Sequence, residues 1–263
     1  MLKARAAGSF RFRDELRDFV RFVRHPRVTP RLPQRAAASG WWEDWFPSLS
    51  VMGLVKWALL LWTVNLVFLG PIAVSAAGAG GAQHRLDINN IPWVQALLWA
   101  PVVEELVFRY GLRHVAQSLW LLPASVAALV LGPNWATIAL IAVVLIICWL
   151  PHLRKPELSR TGLRLFKPLP WRYRVIYLRW FPWVFHAAAL LFAAVHLHNF
   201  SLNHMPYWLM PLLVLPQWLT GLVLGWLRVK RGIGASMLLH GIFNAGPLLI
   251  VWIVVHTVTD LPT

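Results

Sequence analysis

Residues 93–113 read WVQALLWAPVVEELVFRYGLR. The stretch is long enough for one membrane-spanning helix, which needs about 20 mostly apolar residues. Yet Glu104 and Glu105 stand side by side within it, and Arg109 follows one helical turn on. Five of the ten acidic residues lie in the first 50 positions (Asp14, Glu15, Asp18, Glu43, Asp44), Asp87 and Glu157 fall in polar stretches, and Asp260 is among the last residues. Only Glu104 and Glu105 therefore lie inside an apolar run. A charge near the bilayer centre costs about 3 kcal/mol or more, so such a residue faces a cavity or a partner rather than lipid. Two adjacent carboxylates also repel, which favours one of them holding a proton and suits general acid–base work.

The rest of the chain supports a membrane setting. Its 263 residues are 58% hydrophobic and 13% charged, with a mean hydropathy of +0.58, whereas soluble domains are about one quarter charged. The 17 Trp fit side chains seated at membrane–water interfaces. The net charge of +15 raises the question of nucleic acid, but its distribution answers against it. Of 25 Lys and Arg, 10 lie in residues 1–50, 8 in 152–181 and 3 in 228–231. Basic groups in short segments between apolar runs are the positive-inside pattern, and anionic lipid is their expected partner. No nucleic-acid recognition motif accompanies the charge, so no nucleic-acid partner is expected. The lone Cys148 sits in an apolar run and cannot form an intramolecular disulfide.

The first 50 residues are too basic and too interrupted for a cleavable signal peptide. They read as a basic cytoplasmic segment. Within it, Phe12, Leu16, Phe19 and Val23 recur at helical spacing. Such a helix either lies in the headgroup region or packs on the protein's own cytoplasmic face. Residues 51–263 read as one membrane-embedded domain. Apolar runs near 51–78, 93–113, 118–150 (interrupted by Gly132-Pro133-Asn134), 182–200, 207–227 and 233–256 give an all-α, polytopic membrane helix bundle. About seven spans are expected, within a range of six to eight, with a loop at 79–92. Seven spans with a cytoplasmic N-terminus put 114–117, 152–181 and 228–232 on one side, whereas six would separate the basic clusters. The compact loops point to a bacterial inner membrane.

Three constellations could carry chemistry. On a helix, Glu105 and Arg109 meet at i and i+4, while Glu104 projects about 100° away and is less directly neutralised. Glu105 with Arg109 then reads as a supporting ion pair and Glu104 as the reactive carboxylate. Phe192-Ala-Ala-Val-His196 ends an apolar run with an imidazole able to accept a proton or bind a metal. In His240-Gly-Ile-Phe-Asn244 the two polar residues share a helix face and could donate to a developing oxyanion, or simply join two helices. There is no HExxH, P-loop, GxGxxG or GxSxG, which argues against a zincin, a nucleotide-driven pump and a serine hydrolase of the usual motif.

EExxxR, FxxxH and HxxxN, in this order and on separate apolar segments, resemble the CAAX-protease and bacteriocin-processing family of intramembrane proteases (Abi or CPBP). Every defining position matches, over roughly residues 90–250. The resemblance implies an intramembrane endopeptidase in which Glu104 and His196 activate water, His240 and Asn244 stabilise the oxyanion, and Glu105 and Arg109 support the site. It implies a membrane protein or peptide as substrate, prenylated in the eukaryotic members and varied in bacterial ones. The family has been described both as metal-dependent and as glutamate-dependent without metal. Two His and two Glu could hold zinc, but no partner residue for such ligands is identifiable, and no cofactor is expected. Two other function classes are compatible with the residues: a non-catalytic membrane scaffold or chaperone, and a proton-coupled transporter. The seven-span layout leaves one conflict. His196 falls toward the outer end of its helix and His240 toward the inner end of its own, each about 8 Å from mid-span.

Overall fold

At two of the prolines in the apolar helices, the break in the backbone ladder is absorbed as a π turn. Pro71 and Pro101 carry no N–H, so the carbonyls of Val67 and Leu97 lose their partners four residues on. The chain widens into π turns at Asn65–Leu69 and Gln95–Trp99, just before each proline. In the computed structural model, residues 11–30, 44–46, 50–88, 90–153 and 170–259 are described. Most of the expected basic loop at 152–181 lies outside them.

The helices are α1 (Phe12–Arg24), α2 (Val51–Gly80, with its π turn), α3 (Ala100–Phe108, entered through the second π turn), α4 (Val115–Leu131), α5 (Trp135–Leu153), α6 (Trp171–Val195), α7 (Met210–Leu213), α8 (Leu215–Lys230) and α9 (Ile233–Thr259). The fold is an all-α membrane helix bundle. By length and composition, three of these helical segments can cross a membrane: Val51–Gly80, Trp171–Asn199 and Ile233–Thr257. Val115–Leu131 and Trp135–Cys148 are shorter apolar helices. Large apolar side chains such as Val74, Val130, Trp135, Leu191 and Val254 face outward, an arrangement suited to lipid rather than water. The expected turn at 132–134 is present, with Gly132 at φ 68°.

The connections gather at two ends. At one end, Arg113 Nη1 donates to the carbonyls of Val28 and Val229, and Tyr177 donates to Leu112 O. This joins the segment after α1, the α3–α4 connection, the start of α6 and the α8–α9 turn. At the other, β1 (Gln83–His84) pairs antiparallel with β2 (Phe200–Ser201) in register Gln83↔Ser201 and His84↔Phe200. That two-residue ladder lies in what the sequence presents only as a loop.

The structure settles three local points. Residues 171–181, expected as basic loop, form the first turns of α6. The apolar face of α1 is committed to protein: Phe19 and Phe22 are buried among Trp57, Phe185 and Trp226, which is the second of the two readings open for this helix. The basic cluster at the end of α8 faces protein carboxylates: Arg228, Lys230 and Arg231 are buried and face Asp44 (2.7 Å), Asp18 (3.8 Å) and Glu15 (2.5 Å). Residues 11–30 and 44–46 thus form a strap across the α8–α9 turn. Beneath it, Gly221 and Gly225 let α8 press onto α6. A Cβ at Gly225 would lie 2.8 Å from the Phe185 ring, and one at Gly221 would lie 3.3 Å from Ala189 O.

Candidate active site

The short helix α3 presents its two glutamates in different directions. Glu105 turns into the bundle and is fully buried. Its Oε1 accepts from Arg109 Nη1 at 2.5 Å and from His240 Nδ1 at 3.0 Å. Its Oε2 is contacted by the Ser236 hydroxyl, which also reaches Leu224 O at 3.0 Å. The Arg109 guanidinium lies 3.9 Å from the centroid of the Phe192 ring, so a cation–π contact supplements its ion pair.

Glu104 sits at the edge of a cavity. Its Oε2 is buried and has no hydrogen-bond partner among the described residues. Two imidazole nitrogens face that oxygen: His240 Nε2 at 3.8 Å and His196 Nε2 at 4.0 Å. These separations are too long for direct hydrogen bonds and match the span that one bridging water covers.

The far nitrogens of both rings are pinned. His196 Nδ1 is 2.7 Å from Phe192 O, one of the last carbonyls of α6. A carbonyl only accepts, so Nδ1 carries the hydrogen, and in the neutral ring Nε2 offers a lone pair toward Glu104. His240 Nδ1 donates to the Glu105 carboxylate by the same logic. Its Nε2 is then a lone pair in the neutral ring and a donor only in the imidazolium. Phe192 joins these parts through ring contacts to His196 (4.7 Å between centroids), His240 (5.7 Å) and Phe108 (5.7 Å).

Asn244 is engaged nearby. Its Nδ2 donates to Ala96 O at 2.9 Å, within the π turn leading to α3. One of its two amide hydrogens is thereby used and one is left. Gly241 allows this approach, since a Cβ there would lie 2.9 Å from Leu97 O. The carbonyl that Pro101 deprives of a partner is thus in close contact with α9.

The expected depth conflict between His196 and His240 is absent. Residues 220–236 are almost all buried, so the α8–α9 turn lies under the strap rather than at a surface. His240, two turns into α9, is therefore already deep in the body, level with the end of α6. Sequence reasoning missed Ser236. Its signal was available, because Ser236, His240 and Asn244 are spaced by four and share one face of α9.

A cavity of about 360 Å³ opens from this point, lined by Glu104, Phe108, Leu129, Val130, Val195, His196, His198 and Asn199. Its lining comes from α3, the C-terminal end of α4, and the end of α6 with the turn that follows. Among the described residues no three His, Cys, Asp or Glu side chains are grouped so as to hold a metal ion. The arrangement supplies a carboxylate and an imidazole for proton transfer, a second imidazole with a buried counter-charge, and an adjoining cavity for a substrate group.

A scan against family models finds a match for part of this chain. Residues 164–246 match Type II CAAX prenyl endopeptidase Rce1-like. The Rce1-like segment takes in Phe192–His196 and His240–Asn244, while Glu104–Arg109 lies outside it. The glutamate motif therefore joins the two histidine motifs through the contacts of the fold. No curated protein and no solved structure matches the chain. The Rce1-like match supports a CAAX protease-type enzyme, and with the apolar helices it makes the chain an integral membrane protein.

Proposed function

We propose that the chain is an intramembrane endopeptidase that hydrolyses a peptide bond of a membrane-associated or lipidated protein or peptide, using water activated by Glu104. The observation that carries this reading is the unpaired Glu104 Oε2 between two Nε2 atoms at 3.8 and 4.0 Å. A water there donates one hydrogen to Glu104 and the other to His196 Nε2. Its oxygen attacks the peptide carbonyl as Glu104 takes the proton. His240 Nε2–H and the remaining Asn244 amide hydrogen hold the oxyanion. The proton on Glu104 then passes to the leaving amine as the tetrahedral intermediate collapses.

This distribution is neutral in charge. Two carboxylates and Arg109 leave one net negative charge, and one further proton on His240 makes the buried group neutral. That proton is the one which turns Nε2 into a donor, and Glu105 holds the resulting cation. Under this reading no metal takes part, the substrate enters between α4 and α6, and the strap faces the cytoplasm.

The test is purified protein in proteoliposomes with a lipidated peptide reporter, alongside comparative proteomics of membranes expressing the wild type or Glu104→Gln. Cleavage that persists in chelator and is lost in Glu104→Gln is expected. Full cleavage by Glu104→Gln would sink the mechanism. A scaffold predicts that the variant retains cellular function, and a transporter predicts flux without a cleaved product.

A further inference from the structure

The buried cations under the strap are not used by the chemistry above, and Arg228 is the most enclosed of them. Arg228 on α8 is fully buried, and its guanidinium spreads over three acceptors. Nε donates to Arg109 O at 3.2 Å, Nη2 to Tyr110 O at 3.4 Å and Nη1 to Asp44 Oδ2 at 2.7 Å. The two carbonyls belong to the residues that follow α3, where the backbone leaves the helix at Arg109 with φ −128°. Each carbonyl also accepts a backbone N–H, Arg109 O from Leu112 at 3.1 Å and Tyr110 O from His114 at 3.2 Å, so the guanidinium adds a second partner to each and sets a cation at the negative end of the α3 macrodipole. The same Arg109 whose carbonyl accepts from Arg228 sends its side chain back to Glu105.

We propose that Arg228, with Asp44 as its counter-charge, is a positioning residue that fixes the end of α3 and thereby the placement of Glu104, Glu105 and Arg109. α3 is only nine residues long and begins at a π turn, so its own ladder resists displacement weakly. The α8 side and the strap side meet on this one guanidinium. Asp44 also lies 3.3 Å from His114 Nε2, which ties the start of α4 into the same group. The strap is in this way part of the machinery that sets the glutamates, and not only a cover over the α8–α9 turn.

The activity arm of the test rests on the protease reading, and a second arm does not. Arg228→Lys keeps the charge but replaces the planar fork with a point donor that cannot serve three acceptors at once. Asp44→Asn/Arg228→Met removes the pair without leaving a bare buried carboxylate. For each full-length variant, kcat and KM on the reporter, thermal unfolding, and amide hydrogen exchange of the peptide containing residues 104–112 are measured. The expected result is a kcat lower by about 10- to 100-fold at nearly constant KM, since a small misplacement of reacting groups has effects of that size. Faster exchange should be confined to the 104–112 peptide, and Arg228→Lys should fall between the double variant and the wild type. An unchanged kcat overturns the proposal, as does a loss that only follows the folded fraction. If the wild type cleaves nothing, the protease reading fails and exchange alone decides. Local loss of protection then supports the positioning role, and unchanged protection overturns it.

Discussion

Two groups of buried charge lie close together in this protein, and they are finished differently. Under the strap, Arg228, Lys230 and Arg231 each face a carboxylate of the N-terminal segment, and Asp18 and Glu15 also accept from Trp226 and Trp57. On α3, Glu105 has three partners, while its neighbour Glu104 keeps a buried oxygen with none among the described residues. A paired buried charge holds elements together, because breaking it leaves a bare ion in a medium of low polarity. An unpaired carboxylate oxygen facing two imidazoles across a water-sized gap does no such work in the resting protein, and its energetic return must come from a ligand or a reaction. The adjacent glutamates thus divide by partner as well as by burial.

That division is broken most sharply by one substitution. Glu104→Gln should lower cleavage by about 10³-fold, the scale of a lost general base. Its melting temperature should stay near that of the wild type, because Oε2 gives up no hydrogen bond. Equal losses of activity and stability would show that Glu104 is structural. Glu105→Gln should do the reverse in its main effect. Removing one partner of a buried pair costs about 3 kcal/mol, read as a lower unfolding midpoint in detergent. Activity should fall as well, since His240 loses its counter-charge. A Glu105→Gln protein as stable as the wild type would contradict the contrast.

The sequence makes much of this arrangement visible and conceals the rest for a physical reason. Apolar runs punctuated by Pro and Gly place the helices, and the i, i+4 rule pairs Glu105 with Arg109. The three short motifs name the side chains, and α3, the end of α6 and α9 bring His196 and His240 to within 4.0 Å of Glu104. What stays hidden is set by contacts between distant segments. Asp44 and Arg228 are 184 positions apart, and no spacing rule links them. Because that link is hidden, the 228–231 cluster resembles an exposed basic turn. The apparent mismatch in depth between His196 and His240 follows from the same omission. The start of α6 is obscured because Arg172, Arg174 and Arg179 make its first turns look like loop.

A smaller effect is expected one turn before His240. Ser236→Ala removes one hydroxyl contact to Glu105 and leaves those of Arg109 and His240 in place. A single buried hydrogen bond is worth about 1 kcal/mol, so the unfolding midpoint should fall modestly. Cleavage should drop several-fold, because Glu105 becomes less well held. Loss of activity as deep as that of Glu104→Gln would place Ser236 among the reacting groups instead.

The smallest effect belongs to the strap at a position away from Asp44. Asp18 accepts from Trp226 Nε1 at 2.9 Å and faces Lys230 Nζ at 3.8 Å, with 24% of its side chain exposed. Asp18→Asn retains an oxygen for the indole and gives up only a loose, partly hydrated ion pair, whose worth is about 1 kcal/mol or less. Lys230 keeps Pro30 O as a partner at 2.8 Å. Stability should therefore shift little, and kcat should match the wild type. If Asp18→Asn instead depresses kcat while the fold holds, the whole strap bears on the glutamates, and the boundary between architecture and chemistry runs through α1 rather than through Arg228.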